Sequence, residues 1–197
     1  MKEIWESRYA DDEFVYGTEP NGFFKEFIDA NVPCKILLAA EGEGRNAVYA
    51  ALKGWEVVAF DQSEQARKKA LKLAEINQVT INYIVSDIFD FDYPIENFDV
   101  IGLIYLHLPS EIKKSALNKL FSFIKPEGKV VMEVFHKDQL KNTSGGPKVE
   151  DLLYNLEELE DIFIHFNFLK FEKQRILLDE GKLHQGYAEV IRIEAIK

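Results

Sequence analysis

The sequence predicts a single α/β domain in which helices cover both faces of a mostly parallel sheet that ends in an antiparallel hairpin. Three observations predict it. Between residues 35 and 135, short apolar β-type runs alternate with amphipathic helical stretches, the pattern of a doubly wound sheet. The first apolar run stops at a glycine-containing turn that leads directly into a helix. The last two β-type runs, 168–178 and 187–196, are joined only by a turn around Gly181, which leaves no room for a crossover helix.

Each element has its own signal. Two short helices open the chain, over residues 3–9 and 20–31; in the second, Phe23, Phe24, Phe27 and Ile28 recur at helical spacing. Residues 35–40 read as a buried strand and 45–53 as the following helix, with Gly54 just past its end. A second strand, 56–60, is closed by Asp61. Ser63 then caps a helix through residue 75, whose face carries Ala66, Ala70, Leu73 and Ala74. The third strand is 81–85, ending near Asp87, and after a connection containing Pro94 the fourth is 99–105. A helix over 109–123 stops at the Lys-Pro-Glu-Gly turn of residues 125–128, and 129–135 is the fifth strand. A polar loop with Ser144, Gly145, Gly146 and Pro147 precedes a helix over 156–166, and the hairpin closes the chain. With no repeat, low-complexity tract or linker, one domain is expected. It divides into opening helices or lid (1–34), a ligand-binding core (35–135) and an acceptor-side loop, helix and hairpin (136–197).

Composition narrows the function. A chain of 197 residues, 47% hydrophobic and 13% aromatic, can bury a substantial core. Its formal charge of −10 argues against a nucleic-acid partner, because such binding rests on Lys and Arg meeting phosphates. One cysteine, Cys34, excludes an internal disulfide and a cysteine-rich zinc site, and no metal-ligand spacing occurs among the four histidines. The opening residues lack the apolar run of a secretory signal, and no stretch approaches the ~20 apolar residues that span a bilayer. A cytoplasmic protein, monomeric or homodimeric and without a membrane partner, is expected.

The turn after the first strand carries the chemistry. Gly42-Glu43-Gly44-Arg45-Asn46-Ala47 satisfies the G-x-G-x-x-G/A pattern, and Asp61 ends the next strand, where an acid accepts hydrogen bonds from ribose hydroxyls. A dinucleotide would bring a pyrophosphate to this loop, against the carboxylates of Glu41 and Glu43. Unit charges ~4 Å apart interact by several kcal/mol near a protein surface, so the two glutamates oppose that ligand. S-adenosylmethionine instead presents a sulfonium and an ammonium, which suit glutamates, and one carboxylate, which suits Arg45 and the helix start.

Residues 36–46, Asp61, Asp87, residues 97–109 and residues 125–135 together resemble the class I S-adenosylmethionine-dependent methyltransferases. The opening Trp5-Glu6-Ser7-Arg8-Tyr9, Tyr16-Gly17 and Glu19-Pro20-Asn21 resemble the branch that holds tellurite-resistance and thiopurine methyltransferases. The resemblance implies a Rossmann-like seven-stranded sheet in the order 3-2-1-4-5-7-6 with strand 7 antiparallel. It also implies that Gly42 and Gly44 lie under the methionine part, Asp61 holds the ribose, Asp87 and Ile88 flank the adenine, and Tyr105 lies near the methyl group. The expected cofactor residues are Tyr16, Glu41, Gly42, Glu43, Gly44, Arg45, Asn46, Asp61, Gln62, Ser63, Asp87, Ile88 and Tyr105. The chain departs from the family at Leu38, where an acid usually stands, and at Ala40, usually the first loop glycine; either Glu41 or Glu43 takes over the acid's role, or the cofactor is held less tightly.

The expected activity is methyl transfer to a small molecule, with S-adenosylhomocysteine as product and a thiol or chalcogen oxyanion as acceptor. A non-catalytic binder of the same cofactor is the alternative. A soft anion needs no base; a hydroxyl or ammonium acceptor does. His136 ends strand five beside the Gly-Gly-Pro loop and is the favoured acceptor contact. His107, past strand four, is either a second contact or a helix-start residue. His184 reads as a solvated turn residue and His165 as surface. Trp5, Tyr9, Tyr16, Phe23 and Phe24 form either a lid or the core of the early helices. No Asn-Pro-Pro-aromatic motif for a target base follows strand four.

Overall fold

The computed structural model describes residues 2–197. Its seven strands are β1 (Lys35–Ala39), β2 (Glu56–Asp61), β3 (Asn82–Val85), β4 (Phe98–Ile104), β5 (Ile124–Phe135), β6 (Asn167–Glu180) and β7 (His184–Ile196). They form one sheet in the order β3-β2-β1-β4-β5-β7-β6, and β7 runs antiparallel to both neighbours, as the sequence predicts. Six α-helices surround it: α1 (Lys2–Arg8), α2 (Gly22–Ala30), α3 (Arg45–Leu52), α4 (Glu64–Ile76), α5 (Ser110–Ser122) and α6 (Leu156–Ile162).

The two-residue period of the strands builds two cores from one sheet. Along β1, Ile36 and Leu38 join the cluster under α2, α3 and α4, while Leu37 and Ala39 join the cluster under α5 and α6. Side-chain caps set the helix starts: Asn21 accepts from the Phe24 N–H, Ser63 from that of Ala66 and Asn155 from that of Glu158. The parallel strands β1, β2 and β4 thus end side by side, and their carboxyl ends open toward the same edge.

Four stretches differ from the sequence expectation. The turn at 125–128 lies inside β5 as an irregularity: Phe98 pairs with Ile124 and Val100 with Lys129, so pairing resumes beyond it. Helix α6 ends at Ile162, because Phe163 and Phe166 turn into an aromatic cluster with Phe121. The hairpin strands are longer than predicted, pairing as far as Glu180 and His184 and leaving a turn of three residues. Two short 3-10 turns, Lys137–Lys141 and Glu150–Leu152, fill a stretch expected to be loop.

Candidate active site

A cavity of about 1110 Å³, counted to its open mouth, lies at the carboxyl ends of β1, β2 and β4. The loop after β1 shapes its floor through left-handed backbone at Ala40, Gly42 and Gly44. At Gly44 a side chain is excluded as well: a Cβ there would lie 2.5 Å from that of Ala70, so glycine lets the loop rest on α4.

Two carboxylates face this half of the cavity with uncharged partners. Asp61 ends β2, buried, and accepts the Gly42 N–H at 3.2 Å and the Ser63 N–H at 3.0 Å. Burial pushes its carboxyl up to about 6, against the pull of those amides. Glu41 accepts the Ala47 N–H at 2.7 Å and lies 3.5 Å from the Asn46 side-chain amide. Part of its surface opens to the cavity, yet desolvation still pushes its carboxyl up to about 7; the amides and the nearby Arg45 only moderate that.

The other half is a network of paired charges. Arg45 holds Glu180 at 2.8 Å and also donates to the carbonyl of Tyr16. Asn21 donates to Glu133 at 2.7 Å, Glu180 at 3.2 Å and the Tyr105 hydroxyl at 3.3 Å, and Arg192 pairs with Glu133 at 2.6 Å. Burial alone would raise the Glu180 carboxyl, but the His184 and Arg45 contacts outweigh it and hold it below its usual value. Charged Glu180 therefore accepts a hydrogen bond from the Nδ1–H of His184, 3.2 Å away, and fixes that tautomer. Among the described residues Nε2 has no protein hydrogen-bond partner. The His184 ring is wedged by Tyr16, Tyr105 and Phe135, with centroids 4.6, 4.9 and 5.6 Å away. Gly145 braces its other side, where a Cβ would come within 2.7 Å of the ring.

Tyr16, Glu41, Gly42, Glu43, Arg45, Asn46, Asp61, Gln62, Asp87, Ile88, Tyr105 and His107 all line the one cavity. Gly44 and Ser63 stand behind that lining, Gly44 against Ala70 and Ser63 capping α4 while donating to Glu6. Glu43 is not free to meet a ligand's cation, because Lys69 pairs with it at 2.7 Å. Nor is Arg45 free for a ligand's carboxylate. The Nδ1 of His107 is buried without a partner, and desolvation, with His184 and Arg8 nearby, pushes its imidazole down to about 3, keeping it neutral.

The structure leaves His136 outside the cavity. Its Nδ1 accepts the Asp138 N–H, and its backbone bridges Tyr154. Besides His107, the histidine that reaches the cavity is His184, buried rather than solvated. The signal was available: carrying the inward-facing positions Val190 and Ala188 back by twos through Gly186 arrives at His184. Trp5 and Tyr9 cover the mouth, Trp5 stacking on Tyr9 and His107, whereas Phe23 and Phe24 belong to the core.

Residues 36–128 match the family model described as a methyltransferase domain. The match points to an enzyme domain that uses S-adenosylmethionine. A curated relative, the tRNA (uracil(54)-C(5))-methyltransferase of Pyrococcus horikoshii, is 29% identical over 183 residues, 84% of this chain. The chain spans 41% of that relative's length. Three solved structures share the fold. One, from work on conversion of a disulfide bond into a thioacetal group during echinomycin biosynthesis, superposes with a TM-score of 0.83 at 14% identity, covering 100% of this chain and 91% of that one. TehB from Haemophilus influenzae gives 0.73 at 18%, covering 100% and 66%. Magnesium protoporphyrin IX methyltransferase from Synechocystis PCC 6803, with SAH bound, gives 0.68 at 16%, covering 100% and 99%. Among the described residues no helix is long and apolar enough to cross a membrane.

Proposed function

We propose that the protein methylates a small molecule on a heteroatom that must first lose a proton, a thiol above all. The observation that carries this reading is the Glu180–His184 pair, which brings an oriented imidazole with an unpartnered Nε2 to the wall of the cavity. A chalcogen oxyanion is already a nucleophile and gives such a pair nothing to do; a thiol near neutral pH needs it. The small size follows from the cover of Trp5, Tyr9 and Tyr16. The net charge of −10 sets this chain apart from nucleic-acid binding, although the curated relative is named for a tRNA substrate. The likeness of the opening motifs to the tellurite-resistance and thiopurine branch, together with the TehB fold, supports a soft acceptor.

The residues present fit the cofactor. Asp61 is a buried carboxylate with only two backbone donors, and hydroxyl donors from a ribose would satisfy its remaining lone pairs. Asp87 and Ile88 line the wall beside it for the adenine, and Gly42 leaves the floor without a side chain. S-adenosylmethionine supplies the electrophilic methyl group when bound, so the demanding chemistry belongs to it. The chain's own part is to align the acceptor and move one proton. His184 Nε2 takes the acceptor's proton, and Glu180 stabilises the imidazolium that results. Tyr16, Tyr105 and Phe135 hold the ring in place, while the aromatic cover excludes water.

The test is an acceptor screen of small thiols, phenols and selenite, read as S-adenosylhomocysteine release, followed by His184→Ala on the best acceptor. With a thiol, the variant loses roughly 10²–10⁴-fold in rate at pH 7 and recovers above pH 9, where the thiol ionises unaided. A loss that does not change with pH, or turnover confined to selenite, overturns the reading.

A further inference from the structure

We infer that Glu41 alone replaces the missing strand acid and receives the cofactor's ammonium group, whereas Glu43 has become the anchor of the chain's N-terminal segment. The inference rests on the cofactor of the domain and not on the acceptor chosen above.

The case begins at Leu38, where an acid usually stands. That side chain is buried against Phe24 and lies over Gly102 of β4, where a Cβ would come within 2.4 Å of Leu38 Cδ2. Its surroundings are apolar, so no carboxylate function survives at that position. Two glutamates in the loop remain as substitutes, and their partners differ in kind. Glu43 accepts the Val15 N–H at 3.2 Å on one oxygen and the Tyr16 N–H at 3.3 Å on the other. Lys69 supplies its counter-charge at 2.7 Å and also donates to the Glu13 carbonyl at 2.6 Å. Lys69 and Glu43 thus clamp residues 13–16 to the loop, and both Glu43 oxygens are occupied.

Among the described residues Glu41 has no cation at bonding distance. The Ala47 N–H and the Asn46 amide hold its carboxylate in the cavity wall, and Arg45, the nearby positive group, is committed to Glu180. A carboxylate held in the wall without a counter-ion is a site for an incoming cation. The carboxyl's raised value of about 7 agrees with this geometry and gives it a measurable consequence. An ammonium arriving beside Glu41 favours the charged form, so binding releases a proton and tightens as pH rises. The other groups around it that titrate or carry charge are Arg45 on the same loop, Asp61 from β2, Tyr83 from β3, Tyr9 from the N-terminal segment and the Glu43–Lys69 pair. Of these, Asp61, at about 6, also titrates in the relevant range, one unit lower.

S-adenosylhomocysteine is the suitable probe, since it keeps the ammonium and lacks the sulfonium. Calorimetry of the whole chain between pH 6 and 8.5, in buffers of different ionisation heat, is expected to show proton release and affinity rising about tenfold from pH 6 to pH 8. In Glu41→Gln the rise between pH 6.5 and 8 disappears and affinity at pH 8 falls at least tenfold, with a melting temperature no lower than the parent's. In Glu43→Gln the proton release persists, while amide exchange at residues 13–16 accelerates. Equal proton release in the parent and in Glu41→Gln, or its loss in Glu43→Gln instead, overturns the assignment and leaves the cofactor standing. Failure of the parent to bind the probe at any pH overturns both.

Discussion

The two halves of the cavity treat their carboxylates in opposite ways. On the β1–β2 side, Glu41 and Asp61 meet only amides, and desolvation raises both. On the β4–β5–hairpin side, Glu180 and Glu133 each hold an arginine, and the groups left over for a ligand are imidazoles and a phenol. The first half has anionic capacity waiting for a cation and hydroxyls. The second has spent its charge internally and offers uncharged, oriented groups. A charged cofactor on one side and a neutral, protic acceptor on the other match this division.

The comparison breaks most visibly at Glu180. Glu180→Gln leaves Arg45 without its partner in a largely desolvated position, so thermal unfolding should show a loss of about 3–5 kcal/mol. Thiol methylation should fall with it, as His184 loses its tautomer. A variant as stable as the parent would mean that the second half is not held together by its charges.

The next effect tests the first half. Asp61→Ala is expected to weaken S-adenosylhomocysteine binding by ~1.5–3 kcal/mol, the range for a hydrogen bond to a charged group. Unchanged affinity in a folded variant would remove the ribose from Asp61.

A smaller effect concerns pH. Glu41 and Asp61 bind protons more tightly in the folded chain, at about 7 and about 6, than in the unfolded one, at about 4.3 and 3.9. Their contribution therefore favours the ligand-free fold at low pH and is lost as pH rises through those values. Carboxyls held low, such as Glu180 and Asp99, act in the opposite sense, but their stabilisation is already complete above about pH 5; the lowered imidazoles of His107 and, to a smaller extent, His136 also oppose the drop below about pH 6.5 and offset only part of it. The melting temperature of the free chain should accordingly drop between pH 5.5 and 8, and less so with saturating S-adenosylhomocysteine. A temperature that rises across this window would contradict the raised values.

The smallest effect sharpens the boundary of the site. His136→Ala, outside the cavity and hydrogen-bonded to its own loop, should change turnover by less than about twofold and stability by ~0.5 kcal/mol or less. A hundredfold loss of turnover would bring residues 136–147 back to the acceptor.

Much of this was legible in the chain. The alternation from residue 35 to 135 and the uninterrupted hairpin led to a doubly wound sheet closed by an antiparallel pair, because buried parallel strands and their crossover helices leave a local period; the strand order itself came from the family resemblance. The floor loop and Asp61 were legible for the same reason: a strand end, a turn and a helix start are neighbours in sequence. The histidines were not. His136 has the right position along its strand but turns into its own loop, and His184 reaches the cavity only because β7 begins three residues before the predicted start.

What the sequence determined by itself is therefore the set of elements, their order and the place where a ligand must sit, all consequences of short-range periodicity and backbone geometry. Which glutamate keeps a free carboxylate, and which histidine is oriented, only the tertiary structure decided. Glu43 is neutralised by Lys69, 26 residues away, and Arg45 by Glu180, 135 residues away. A charge's availability depends on the partner that folding brings to it, and no local pattern encodes that partner.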